Sequence, residues 1–156
     1  MAASVFIKDI VDALEMQFEE SAAYLDLETG RVEHVSREVL GLAEESDDDE
    51  EPDLPDWQED EWAVAKPIAG NPKRFERLPD KFDIHEWEMI REFTDTVKSS
   101  KIREDLRDKI HGRGAFRAFK DALRRHRIEQ DWFTFRDEAL RKIAIEWCEE
   151  IGVEWK

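Results

Sequence analysis

Between Gly112 and Arg127 the chain carries two opposed chemistries on one helical period. Ala115, Phe116, Phe119, Ala122 and Leu123 recur at the spacing of a single face of a 3.6-residue helix. Arg113, Arg117, Lys120, Arg124 and Arg127 recur on a second stripe. A segment of this kind can settle only by pressing its apolar face against neighbours. Its cations are then left to water, to carboxylates of the same protein, or to an anionic ligand. Read as one continuous helix over 113–127, the five cations span roughly 21 Å at about 1.5 Å per residue. Gly112 and Gly114, placed just before the helix start, could also present open amides to an anion.

What surrounds this segment is strongly acidic. The net charge is −16 over 156 residues, and it is unevenly spread. Residues 1–62 hold 21 Asp and Glu against Lys8, Arg31 and Arg37, whereas Arg107–Arg127 holds eight Lys and Arg against Asp108 and Asp121. The asymmetry predicts either internal charge pairing or two differently charged surfaces. A general surplus of Asp and Glu also serves solubility, or life in a salty cytoplasm. The 16 aromatic residues supply enough apolar area for a folded body. No apolar run approaches the length of a membrane span, and the first ten residues lack the apolar stretch of a secretory leader. The lone Cys148 excludes an internal disulfide, so a cytoplasmic location is expected.

Taken in order, Ser4 is placed to cap a first helix running to about Glu19, with Phe6, Ile10, Val11, Leu14 and Phe18 on one face. Ala22–Leu27 and Val32–Val35, joined through Glu28-Thr29-Gly30-Arg31, predict a hairpin in which Asp26 and His34 could lie across from one another. Arg37–Ala43 suggests a short helix. The acidic stretch of about residues 44–61 reads as a mobile loop, because like charges repel and bury nothing. It lacks the alternating oxygen ligands and fixed glycine of a calcium loop. Trp62–Lys66 and Arg74–Leu78 read as strands, separated by Pro67, Gly70, Asn71 and Pro72.

From there on the pattern is helical. Asp83 and Glu86 have capping-box spacing, which outranks metal ligation by His85, Glu86 and Glu88. A helix over 101–110, the two-faced helix over 113–127 and a long last helix from about Glu129–Asp131 to about Glu150 follow, with Gly152 closing it. Arg136 falls inside an apolar stripe, so its stem should pack and its head should be paired. Cys148 sits on a core stripe with no His at a fixed spacing, which favours packing over nucleophilic chemistry. The expected core comprises Phe6, Ile10, Leu14, Leu25, Leu27, Val64, Phe75, Trp87, Ile90, Phe93, Phe116, Phe119, Leu123, Phe133, Leu140 and Trp147.

These signals predict a single α+β domain over 1–156, with an acidic α/β half at 1–80 and a helical half at 81–156. An N-terminal helix and an antiparallel sheet of three or four strands would pack with a C-terminal layer of about four helices.

Several fragments in this order resemble a bacterial family of uncharacterised proteins. They are Tyr24–Gly30, Arg74–Pro79, Gly112–Lys120, Trp132–Glu138 and Ile145–Cys148. The resemblance covers nearly the whole chain, and its most specific pieces are Gly-x-Gly-Ala-Phe-x-x-Phe and Trp-aromatic-x-Phe-Arg-Asp-Glu. The acidic insert around Asp47 is peculiar to this member. The family has no established activity, so the resemblance implies no catalytic or binding residue.

Three functional readings follow from the residues. The first is a non-catalytic interaction or regulatory protein that takes another protein as partner. The second is nucleic-acid or phosphate binding through Arg113, Arg117, Lys120, Arg124 and Arg127, opposed at long range by the overall negative charge. The third is a hydrolase using carboxylates. There is no phosphate-loop signature, no nucleophile elbow and no cysteine-based metal site, so no cofactor, metal or catalytic residue is expected.

Overall fold

The hairpin forms where the alternation places it. In the computed structural model, which describes residues 4–16, 20–45, 53–80 and 84–156, strand β1 (Ser21–Asp26) pairs antiparallel with β2 (Val32–Ser36). The reversal depends on Gly30, whose φ of 75° is open to glycine at no steric cost. Its amide donates to the Asp26 carbonyl at 2.8 Å, and the Asp26 amide donates to the Arg31 carbonyl at 2.8 Å. Strand β3 (Phe75–Arg77) pairs antiparallel on the other side of β1, giving the order β2-β1-β3.

Among the described residues the chain adds seven helices to this sheet, an α+β arrangement. They are α1 (Ile7–Glu15), α2 (Arg37–Glu45), α3 (Asp56–Gly70), α4 (Glu86–Thr96), α5 (Ser100–Lys109), α6 (Ala115–Arg125) and α7 (Glu129–Ile151). The chain divides into two compact units. The first comprises residues 1–83 and 143–156, and the second comprises residues 84–142. Helix α7 runs through the boundary between Lys142 and Ile143.

In the first unit, Val35, Val39, Leu40, Ala65, Ile68 and Phe75 form one buried cluster, drawn from β2, α2, α3 and β3. Helix α3 overturns the expectation of a strand at Trp62–Lys66 and of a loop through Glu61. Over these few residues the apolar spacing suits a strand. Over the longer window Trp62, Ala65, Ile68 and Ala69 lie on a helical stripe, and Ala63, Ala65 and Ala69 favour helix. Pro67 did not end the helix. It lies on the exposed side, and the Asn71 amide donates to its carbonyl at 2.9 Å. Asp56 and Glu59 sit in the first turn, where negative charge suits the helix dipole. Glu44 and Glu45 close α2, while 46–52 lie outside the described residues.

Helix α1 also starts later than Ser4. Val5 and Trp155 form a parallel bridge, with Ile7 donating to the Lys156 carbonyl at 3.0 Å. That bridge, not a serine cap, fixes the helix start. Because the chain at Phe6 is extended, the apolar stripe does not reach it, and Phe6 is 58 % exposed. The expected positions of Phe18, Glu19 and Asp83 lie outside the described residues.

The second unit holds α4, α5, α6 and residues 129–142 of α7. Phe93, Phe119 and Trp132 interlock with edge-on rings, at centroid distances of 6.4 Å for Phe93–Phe119, 5.4 Å for Phe93–Trp132 and 5.2 Å for Phe119–Trp132. Ile90, Leu106 and Leu123 are buried in the same unit. Of the expected core residues, Phe116 and Phe133 are instead 41 % and 51 % exposed, while Leu27, Val64, Trp87 and Trp147 are half-buried. Phe116 lies one position beyond the buried stripe Ala115, Phe119, Ala122 and Leu123, which is already wide enough for the contact.

Phe119→Ala should therefore lower stability by about 3–5 kcal/mol, as removal of a fully buried ring does. Phe116→Ala should cost under about 1 kcal/mol. Urea unfolding followed by circular dichroism separates the two. Equal losses would contradict this assignment of faces.

Candidate functional site

The two-faced segment forms a helix shorter than its pattern. Helix α6 covers 11 residues, and Gly114 occupies its N-cap with φ 72°. Arg113 precedes it in the turn. Arg127 follows it in the left-handed region at φ 57°, where the Ile128 amide donates to the Leu123 carbonyl at 2.9 Å and seals the end. Thus Arg117, Lys120 and Arg124 belong to the helix, while Arg113 and Arg127 flank it. The continuous five-cation helix expected over 113–127 is not present. The helix is roughly 16 Å long at about 1.5 Å per residue.

All five cations are exposed, but their surroundings differ. Arg124 approaches Asp121 at 3.9 Å and Glu129 at 3.6 Å, both in the helical unit. Lys120 places its ammonium 4.5 Å from the centroid of the Phe116 ring. At an exposed site this contact is worth about 0.5–1 kcal/mol. Arg113, Arg117 and Arg127 make no ion pair among the described residues. The N-terminal part of the stripe thus carries three exposed cations, Arg113, Arg117 and Lys120, near in sequence to the exposed Phe116, with the Lys120 ammonium over its ring.

Other cations of the unit are held by carboxylates. Arg125 Nη2 donates to Asp105 Oδ2 at 2.9 Å, and His126 Nε2 donates to the same oxygen at 2.7 Å. Lys109 stands 3.9 Å from the other oxygen. The His126 hydrogen bond, with Arg125 and Lys109 beside it, holds the Asp105 carboxyl below the usual carboxylate range. Arg107 bonds Asp95 at 2.9 Å, joining α5 to α4. Arg136 bonds Glu86 at 3.1 Å, so its head is paired as its place in an apolar stripe requires. Of the partners of Asp105 only Lys109 stands at a local i,i+4 spacing; the sequence does not reveal the hub because Arg125 and His126, which hydrogen-bond the carboxylate, lie 20 and 21 residues away.

The conceivable catalytic groups are differently placed. His34 stands opposite Ala23, so β1 and β2 do not juxtapose it with Asp26. Asp26, only 4 % exposed, is claimed by Arg74 instead: Nε donates to Oδ1 at 2.9 Å and Nη2 to Oδ2 at 2.8 Å. The Glu28 amide adds a third bond at 3.0 Å. The Arg74 hydrogen bonds, with the Glu28 amide in support, outweigh the cost of burial and lower the Asp26 pKa to about 2. This pair clasps the hairpin turn to the start of β3.

His34 lines a shallow cleft of about 470 Å³ with Asp9, Asp12, Arg31 and Glu33, yet it makes no hydrogen bond to them among the described residues. A second cleft, of about 620 Å³, lies in the helical unit beside Phe93, Lys98, Asp131, Phe135 and Glu138, without a histidine. No grouping of His, Cys, Asp and Glu suited to a metal occurs among the described residues. Cys148 is fully buried, and burial with Glu149 beside it pushes its thiol up to about 11.

These features define an α+β protein with a sheet-bearing acidic unit, a helical unit and one exposed cationic helix face. The chain belongs to the uncharacterised protein family UPF0158, whose model matches residues 4–155. No curated protein and no solved structure matches it.

Two measurements check the chemistry assigned to these groups. The folded-state pKa of Asp26 lies below its unfolded value near 3.8. The clasp therefore stabilises fully above about pH 4 and is lost as the pH falls toward about 2. Asp26→Asn should lower stability at neutral pH by about 1–3 kcal/mol, because Arg74 is a third exposed and can rehydrate. It should also flatten the acid limb of a stability–pH curve, and an unchanged limb would contradict the clasp. For Cys148, a thiol-reactive dye at neutral pH should label the protein only as fast as it unfolds. Rapid labelling of the folded protein would refute its assignment as a packing residue.

Proposed function

We propose that this protein is a cytoplasmic, non-catalytic interaction protein that engages an anionic partner through the exposed face of α6. The observation that carries this reading is the difference in pairing along the helical unit. Arg107, Arg125 and Arg136 join helices through carboxylates, whereas Arg113 and Arg117 meet none among the described residues. Cations that serve only the fold are expected at such joints. Cations standing in water beside an exposed phenyl ring are disposed for a partner that supplies the negative charge.

Charge composition supports the same reading. The helical unit, residues 84–142, has 15 basic against 12 acidic side chains, a net of +3. The remaining residues have 9 basic against 28 acidic, a net of −19. The excess negative charge opposes a polyanion at long range. At physiological salt that long-range reach falls to about 8 Å.

Immobilised heparin offers a partner-independent test. The wild-type protein should be retained at low ionic strength and released by salt. Arg117→Glu with Lys120→Glu should abolish retention while lowering stability by no more than about 1 kcal/mol, the loss expected from the Lys120–Phe116 contact. Passage of the wild type without retention would contradict the reading.

A further inference from the structure

We infer that the anionic partner of the α6 face is a single-stranded nucleic acid, with Phe116 as the stacking ring and Arg113, Arg117 and Lys120 on the flanking phosphates. The inference rests on the reading of this face as an anion-binding surface and adds the partner's class. The distinguishing feature is Phe116. Phe93, Phe119 and Trp132 of the same unit are buried, and Phe116 and Phe133 are exposed, but of these two only Phe116, 41 % exposed, has a cation over its ring among the described residues, Lys120 at 4.5 Å. A peptide of acidic residues alone satisfies the cations and gives the ring nothing of its own kind. A duplex offers phosphates but keeps its bases stacked on one another. Only an unpaired strand presents backbone charge and base faces together, and this combination is how sequence-tolerant single-strand binders work.

Geometry sets the size of the contact. Arg117 adjoins Phe116, and Lys120 lies one turn further along α6. The ammonium of Lys120 covers one side of the Phe116 ring at 4.5 Å, but the residue is exposed on a flexible four-carbon stem. A phosphate draws that ammonium off the ring and opens the ring to a base. The exchange is favourable because base stacking on an aromatic exceeds an exposed cation–π contact. Three cations imply about three phosphates neutralised, so affinity should fall roughly 20-fold between about 50 and 200 mM salt. Binding is accordingly weak and indifferent to base sequence.

The test is fluorescence anisotropy of the full chain with three labelled probes: a short oligo(dT), a duplex of equal length and a polyglutamate peptide. Wild type should prefer oligo(dT) over both others. Phe116→Ala should weaken oligo(dT) binding about tenfold and leave polyglutamate binding unchanged, while Phe116→Trp should restore the oligo(dT) affinity. Arg117→Glu with Lys120→Glu should lose all binding. If polyglutamate or duplex binds as tightly as oligo(dT), or Phe116→Ala changes nothing, the nucleic-acid assignment is overturned and the anion-binding face stands. If no probe binds wild type, both are overturned. Circular dichroism of each variant excludes misfolding as the cause of a loss.

Discussion

The interlock of Phe93, Phe119 and Trp132 fixes which side of α6 faces inward. Each edge-on aromatic pair contributes about 0.5–1.5 kcal/mol beyond the area it buries. Rotating α6 to bury Phe116 would forfeit the Phe119 contacts and carry Arg117 and Lys120 toward the interior. An unpaired charge there costs several kcal/mol, more than the gain from hiding one further ring. The exposed cationic face is therefore a consequence of the core. Once Phe119, Ala122 and Leu123 are buried, Arg117, Lys120 and Phe116 have only the outside left.

The same economy separates two kinds of charge. Arg107–Asp95, Arg125–Asp105 and Arg136–Glu86 each link one helix to another. In the sheet unit, Arg74 and Asp26 do this more tightly, with a bidentate geometry and an almost fully buried carboxylate. A charge committed to such a joint is not available to a ligand. Among the cations left to water, those at the start of α6 stand out for the exposed ring beside them: the left-handed Gly114 turns the chain into the helix, Arg113 and Arg117 make no ion pair among the described residues, and Lys120 lies over Phe116.

Much of this was legible in the residues, and what was not has identifiable physical causes. The hairpin declared itself through alternation and Gly30, and the burial of Phe119 and Leu123 through a 3.6 period. Helix α3 was hidden because Trp62–Lys66 is too short to tell one period from another and Pro67 suggested a break that the structure does not make. Helical spacing puts Phe116 and Phe133 at the margins of broad apolar faces, but a helix packed on one side has room for only part of its apolar residues. For the candidate site, the cations were readable and their pairing was not. Whether an arginine meets a carboxylate depends on contacts across some 20 to 50 residues, as with Arg125–Asp105 and Arg136–Glu86. The Asp26–Arg74 clasp, 48 residues apart, was missed for the same reason, and the register that could have set Asp26 across from His34 instead places His34 opposite Ala23.

The central claim is that the cations at the start of α6 face solvent and take up an anion. It is tested most directly by amide chemical-shift mapping of the isotope-labelled protein titrated with inorganic polyphosphate, a probe with charge and no bases. The account predicts shifts concentrated on Arg113–Arg124, with Arg107 and Arg136, which already have carboxylate partners, unaffected. Shifts spread evenly over the paired and unpaired arginines, or centred away from α6, would contradict it.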